Sequence, residues 1–262
     1  MAVFYDQLNR EVNLPSVPKG IISVVPSQTE LLFYLGLDKE VIGITKFCIH
    51  PGNKFKTTTK VGGTKQLNIK LIKELKPDLI IANKEENEQS QIEELMTICP
   101  IWISDISNLD EALDMITKVG ELVNRQKEAQ ILTAKVSRLF SQLAIRPKNL
   151  SVAYLIWRKP YMVAGKYTFI DDMLQKCGLI NAFDEGRYPE VTSEMLIDTK
   201  PDVVLLSSEP YPFTQKHIDE FKSMLPNSQI ILVDGELFSW YGNRLLHAPD
   251  YFTELVGRII RQ

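Results

Sequence analysis

Cys48 and His50 stand two positions apart in the run Lys46-Phe47-Cys48-Ile49-His50. A thiolate and an imidazole are both ligands for soft or borderline metals. In an extended stretch alternate side chains point the same way, so the two can act on one ion. A buried thiol beside a loop histidine is the plainer reading of the same residues. His247, after Trp240-Tyr241, reads either as an axial ligand to a cobalt or iron centre or as a residue at a helix start. His217 falls in a polar helical stretch and is expected to face solvent. Glu85 and Glu209 offer different chemistry: a pair of acids that can act as acid and base, bind a cationic group, or accept bonds from helix N-termini.

Aromatic and charged residues recur together at the ends of apolar runs. The first half supplies Phe47, Lys65 in Gly62-Gly63-Thr64-Lys65, and Glu85 in Asn83-Lys84-Glu85-Glu86-Asn87. The second half supplies Trp157-Arg158-Lys159-Pro160-Tyr161, Tyr188 in Arg187-Tyr188-Pro189-Glu190, Glu209-Pro210-Tyr211, and Trp240-Tyr241-Gly242-Asn243-Arg244. Rings beside Arg, Lys or Glu suit a large planar ligand that is stacked and oriented. Motifs of nucleophilic, zinc-hydrolytic or nucleotide chemistry are missing: no G-x-S-x-G, H-E-x-x-H, Walker lysine loop or G-x-G-x-x-G occurs. The residues predict binding, with no catalytic group and no intrinsic cofactor.

These loops need a scaffold, and the apolar runs describe it. Ile21–Val25, Val41–Ile44, Leu79–Ala82 and Ile101–Ile103 are short, continuous and β-rich, with helical stretches such as Thr29–Leu35 between them. Such runs are parallel strands covered on both faces. The order then repeats. LIKELKPDLIIANKEEN (Leu71 to Asn87) is echoed by MLIDTKPDVVLLSSEPY (Met195 to Tyr211), and WISD (Trp102 to Asp105) by ILVD (Ile231 to Asp234). The repeat maps Glu85 onto Glu209, which predicts that the two acids face each other. Residues 21–37 have a looser counterpart in 152–179. Between the halves, Ile131, Leu132, Val136, Leu139, Phe140 and Leu143 fall at helical spacing within 125–144. The expected architecture is α/β: parallel-sheet lobes at 1–122 and 147–262, a stiff connecting helix at 123–146, and a ligand cleft between lobes that close little.

The chain has 262 residues, 44% of them hydrophobic, and a formal net charge of -3, enough for two modest cores and no footprint for nucleic acid. No apolar run reaches the ~20 residues of a membrane helix. Three cysteines (Cys48, Cys99, Cys177) are too few for a disulfide framework. Residues 1–20 lack the basic start and apolar stretch of a secretory signal. By that reading a cytoplasmic location stands as an alternative to export.

The opening Ser23-Val24-Val25-Pro26-Ser27-Gln28-Thr29-Glu30, the Leu75-Lys76-Pro77-Asp78 segment and the linking helix together resemble the class III, helical-backbone solute-binding proteins of ABC importers, over about residues 20–262. That family serves cobalamin, haem and ferric siderophores. The resemblance implies a monomeric periplasmic or cell-surface receptor for a corrinoid, haem or ferric chelate, with a permease as partner. It places cleft aromatics at Phe47 and Tyr188, a threonine (Thr64) where the cobalamin branch carries tryptophan, and a ligand-side arginine at Arg244. It places transporter docking at Glu194, whose counterpart in the first half is Lys70. An enzyme or chaperone handling a tetrapyrrole or metal on the same scaffold is the competing reading.

Overall fold

In the computed structural model, which describes residues 2–145 and 149–260, every one of the short apolar runs becomes a strand. The chain divides into two units. One comprises residues up to 106 with 110–137 and 241–243; the other comprises 107–109, 138–240 and the residues from 244 onward. The expected limit of the connecting segment at residues 146 and 147 lies outside the described residues.

The first unit runs β1 (Ala2–Tyr5), β2 (Glu11–Leu14), β3 (Ile21–Ser23), α1 (Pro26–Tyr34), β4 (Val41–Ile44), α2 (Gly52–Thr57), β5 (Thr59–Lys60), α3 (Ile69–Leu75), β6 (Leu79–Asn83), α4 (Gln89–Met96), β7 (Ile101–Ser104), α5 (Leu109–Leu122) and α6 (Gln126–Ser141). Five of its strands form a parallel sheet in the order β5-β4-β3-β6-β7. The order reverses at β3, so the loops beyond the carboxyl ends of β3 and β6 flank the switch point where α/β sheets gather ligands. Ile21, Ile22, Leu79, Ile80, Ile81 and Ala82 are fully buried, as two-sided coverage requires. Helix α1 starts at Pro26, three residues before the expected start. Proline fits the first helical position because its missing N–H has no intrahelical partner there.

The sequence reading assigned no structure to the first twenty residues, yet β1 and β2 pair as an antiparallel hairpin. The Asp6 carboxylate, fully buried, accepts the Leu8 and Arg10 amides on Oδ1 and Nε and Nη2 of the Arg10 guanidinium on Oδ2 at the turn. Gln7 N–H donates to the Ile103 carbonyl and Trp102 Nε1 to the Tyr5 carbonyl, which ties the hairpin to β7.

The second unit runs β8 (Ser151–Trp157), β9 (Tyr161–Val163), α7 (Phe169–Lys176), β10 (Ile180–Asn181), β11 (Glu190–Val191), α8 (Ser193–Thr199), β12 (Val203–Ser207), α9 (Gln215–Met224), β13 (Gln229–Val233), α10 (Glu236–Ser239) and, after a 3-10 turn at Asn243–Leu246, α11 (Ala248–Ile260). Its parallel core, β10-β8-β12-β13, carries an antiparallel addition: β9 folds back along β8, and β11 lines β9.

The duplication holds down to single backbone angles. Lys76 and Lys200 end α3 and α8 in the left-handed conformation, with φ of 48° and 47°. Proline follows each, then an aspartate. Asp78 Oδ2 accepts the Lys19 and Gly20 amides at 2.9 Å each. Asp202 Oδ2 accepts the Ser151 amide at 2.8 Å and its hydroxyl at 2.9 Å. Each carboxylate thus fixes the start of the neighbouring strand.

Helix α6 belongs to the first unit through Ser137 and to the second from Arg138. Its buried stripe is Ala129, Leu132, Val136 and Phe140. Ile131, expected on that stripe, is 61% exposed, because at 3.6 residues per turn it lies on the side opposite Ala129. Leu132→Asp is therefore expected to cost at least about 3 kcal/mol, while Ile131→Asp stays within about 0.5 kcal/mol of the parent in urea denaturation. Equal losses in the two variants would mean that the stripe is misassigned.

Candidate functional site

In the first unit, the loop after β4 presents Phe47, half-exposed at 50%, with the Lys46 ammonium 5.1 Å from its ring centroid. Lys65 spans to the loop after β6, where its Nζ donates to the Glu85 carbonyl at 2.8 Å. That loop is shaped from within: Asn83 Oδ1 accepts the Glu85 and Glu86 amides, and Asn87 Nδ2 donates to the Val24 and Thr64 carbonyls. Tyr241 is buried, and its hydroxyl donates to Glu86 Oε1 at 3.1 Å.

In the second unit, the turn between β8 and β9 is tied to α9 by one carboxylate. Glu220 Oε2 accepts both Nε and Nη2 of Arg158, at 3.0 and 2.8 Å, and Oε1 accepts the Tyr161 hydroxyl at 2.8 Å. Burial opposes ionisation of Glu220, but the Arg158 and Tyr161 donors outweigh it and hold the carboxyl below its usual range. Burial and the same carboxylate push the Tyr161 phenol up to about 12. Trp157, at 39% exposure, presents its ring beside this triad. Its N–H is fixed on the Lys159 carbonyl, and the Tyr211 ring packs edge-on at 5.7 Å.

Glu209 organises the end of the chain. Its Oε1 accepts the Ser239 hydroxyl at 2.5 Å and the Trp240 indole N–H at 2.8 Å. Burial raises its pKa, with Glu236 and Asp234 adding to the rise against those two donors. Trp240 is only 6% exposed, and the Arg244 guanidinium lies 4.9 Å over its ring while pairing with Glu236 Oε2 at 2.8 Å. The tryptophan is thus a brace for the loop, and Arg244 covers one of its faces.

The expected metal ligands fare differently. Cys48 is fully buried and bonded to the Thr29 and Thr45 hydroxyls; burial pushes its thiol up to about 11, which keeps the proton on sulfur. His50 is half-buried and His247, directly before α11, is exposed. Among the described residues no three His, Cys, Asp or Glu side chains are placed to share an ion. Tyr188 is half-buried ahead of β11. Glu194 is exposed in the first turn of α8, where its own backbone amide and the Thr192 hydroxyl hold its carboxyl low; Lys70 occupies the equivalent turn of α3 and is exposed.

His217 corrects the sequence reading. It is 2% exposed, because its imidazole closes the capping box of α9 instead of pointing to solvent. Glu220 was not singled out from the sequence at all, although an acid one turn past a histidine in the same helical stretch was a usable signal.

Residues 21–226 match the profile of the family described as periplasmic binding protein. The uncharacterized ABC transporter substrate-binding lipoprotein YvrC of Bacillus subtilis (strain 168) is 25% identical, over 96% of this chain and 84% of its own length. The vitamin B12-binding protein of Yersinia pestis (strain Pestoides F) is 24% identical over 91% of this chain and 86% of its own. The structure of the periplasmic heme-binding protein RhuT of Roseiflexus sp. RS-1 superposes with a TM-score of 0.80 at 21% identity, covering 93% of this chain and 98% of that one.

Glu209→Gln retains an oxygen acceptor for Trp240 and Ser239 and removes the buried charge. A raised carboxyl stabilises the fold below its folded pKa and loses that contribution as pH rises through it. The variant is expected to gain stability over the parent above the ordinary 4.5 and to match it at lower pH, read by urea melts at several pH values. A variant less stable at neutral pH than at acid pH, relative to the parent, would show that the charge is an asset.

Proposed function

The chain belongs to the periplasmic binding protein family, and on that footing we propose that it captures a metal-containing ring or chelate, of the corrinoid, haem or ferric-siderophore kind, for delivery to an ABC importer. The observation that carries this reading is that each unit leaves a ring outward at the carboxyl end of a strand, Phe47 after β4 in the first and Trp157 at the end of β8 in the second. The Lys46 ammonium lies 5.1 Å from the Phe47 ring, and Arg158, next to Trp157 in the chain, is held by Glu220. A flat macrocycle with acidic or amide side arms matches that chemistry: rings stack on its face and cations meet its edge. Tyr188, Tyr211 and Lys65 are the half-buried or exposed residues that complete these loops. Tyr161, Glu209, Trp240, Tyr241 and Arg244 hold the loops in shape through their side chains, and Glu85 through its main chain.

The names of two relatives support the ligand class, since one binds vitamin B12 and another heme. The metal is cargo in this reading, held by the ligand's own ring. Binding, and not catalysis, is the activity of the family. The reading also places the protein outside the cytoplasmic membrane as a monomeric receptor, with Glu194 offering its ionised carboxylate to the permease. No helix among the described residues is long and apolar enough to cross a membrane.

A thermal-shift series with haemin, cyanocobalamin, cobinamide and a ferric hydroxamate siderophore tests this reading. At a hundred times its dissociation constant, a true ligand adds about 2.7 kcal/mol to stability. We expect one of the three ligand classes to give that rise. A folded protein whose melting is unmoved by all of them would remove the proposed ligand class.

A further inference from the structure

We propose that His217 makes the loop Glu209–Thr214 acid-labile: protonation of its imidazole breaks the cap of α9, expels the ring, and frees Tyr211 from its packing against Trp157. The inference is independent of which ligand the protein takes.

The geometry requires a neutral ring. His217 Nδ1 accepts the Thr214 backbone N–H at 2.8 Å and lies 3.2 Å from the Thr214 hydroxyl. A backbone amide can only donate, so Nδ1 carries the lone pair and the ring proton sits on Nε2. From there Nε2 donates to the Tyr211 hydroxyl at 3.3 Å. The ring also packs edge-on against Tyr211 and Phe213, with centroids 5.5 and 5.4 Å away. One imidazole therefore joins the start of α9 to both aromatic residues of the loop. Glu209 is held at one end of the loop by Ser239 and Trp240, but past it the backbone ties to the strands are long: Tyr211 N–H to the Ile156 carbonyl and Phe213 N–H to the Ser207 carbonyl, each 3.3 Å.

An added proton goes to Nδ1 and sets two N–H groups against each other at the cap. The site then holds a buried cation at the positive end of a ten-residue helix. The charged groups that face the ring are Lys216 and Glu220 on α9 and Arg158 from the turn after β8. Glu220 alone favours the imidazolium, and it is already engaged by Arg158 and Tyr161. Burial, then Lys216 and Arg158, hold the folded imidazole below its ordinary 6.5.

The sign follows. With the ring released to solvent it titrates near 6.5, so the open loop binds the proton that the closed loop refuses. Closure is at full strength above that pH. It weakens by up to about tenfold per pH unit as pH falls from there toward the folded value. Trp157 and Tyr211 then lose their mutual packing, and a surface built at neutral pH is dismantled in acid.

Glutamine is the control, because it is a standard residue at this third helical position and its side-chain oxygen accepts the cap amide without titrating. Amide hydrogen exchange of Tyr211, Phe213 and Thr214 is measured in the full chain without ligand, corrected for intrinsic rates, from about pH 7.5 to about pH 5. We expect parent protection to fall by up to about tenfold per unit below 6.5 and that of His217→Gln to stay level. Equal pH dependence in both proteins, or level protection in the parent, overturns the switch. Should the variant fail to fold, nitrogen NMR of the parent ring decides alone. An Nε2–H tautomer at pH 7.5 that titrates in step with Thr214 exchange supports the inference. A proton on Nδ1 at that pH, or titration without loss of Thr214 protection, refutes it.

Discussion

Asp78 and Asp202 each reach from the foot of one core strand to the first residues of its neighbour, Asp78 through two backbone amides and Asp202 through an amide and a hydroxyl. This pairing fixes which residues of β3 and β6, and of β8 and β12, lie side by side. Such fixing matters because strands buried on both faces carry little register information in their side chains. Five residues after each aspartate the same strands end in Asn83 and Ser207, whose side chains accept the amides of the following loops. A shift at the foot of a strand would displace those acceptors and with them the loops that follow β6 and β12. Each of these loops is thus set by a hydrogen bond one strand length away.

Most of the loop chemistry faces inward. Arg158 and Tyr161 share Glu220, Trp240 and Ser239 share Glu209, Arg244 takes Glu236, and Lys65 caps a backbone carbonyl. These pairings leave few rotamers to freeze when a ligand arrives, which is how a preformed surface gains affinity. The outward groups are then few, Phe47 and Trp157 foremost. Polar residues that look like ligand contacts in sequence are largely the means by which the aromatic ones are held still.

The division between what could and could not be read from sequence follows the range of the interactions. Lys-Pro-Asp betrayed the duplication because helix stop, turn and strand foot are contiguous and recur together. The apolar runs betrayed the parallel core for the same reason. The hairpin of β1 and β2 escaped because its anchor, Trp102, is 97 residues from Tyr5, and β9 and β11 escaped because strands of three and two residues leave no periodicity. Ile131 was misplaced by counting apolar residues without their angle. Glu220 was passed over because its partners Arg158 and Tyr161 lie about sixty positions earlier, and His217 because a capping role and a solvent-facing one share the same polar surroundings. Cys48 and His50 look paired by spacing; the thiol is buried between two threonines, a setting that spacing alone does not reveal.

The account stands on outward aromatic rings binding a metal-containing macrocycle or chelate. Its most direct test is an absorbance or fluorescence titration of the purified chain with haemin, cyanocobalamin and a ferric siderophore, run beside Phe47→Ala and Trp157→Ala as single variants. The prediction is saturable binding of one ligand class by the parent, weakened about tenfold by loss of at least one of the two rings. Saturable binding that both variants retain in full would contradict the account.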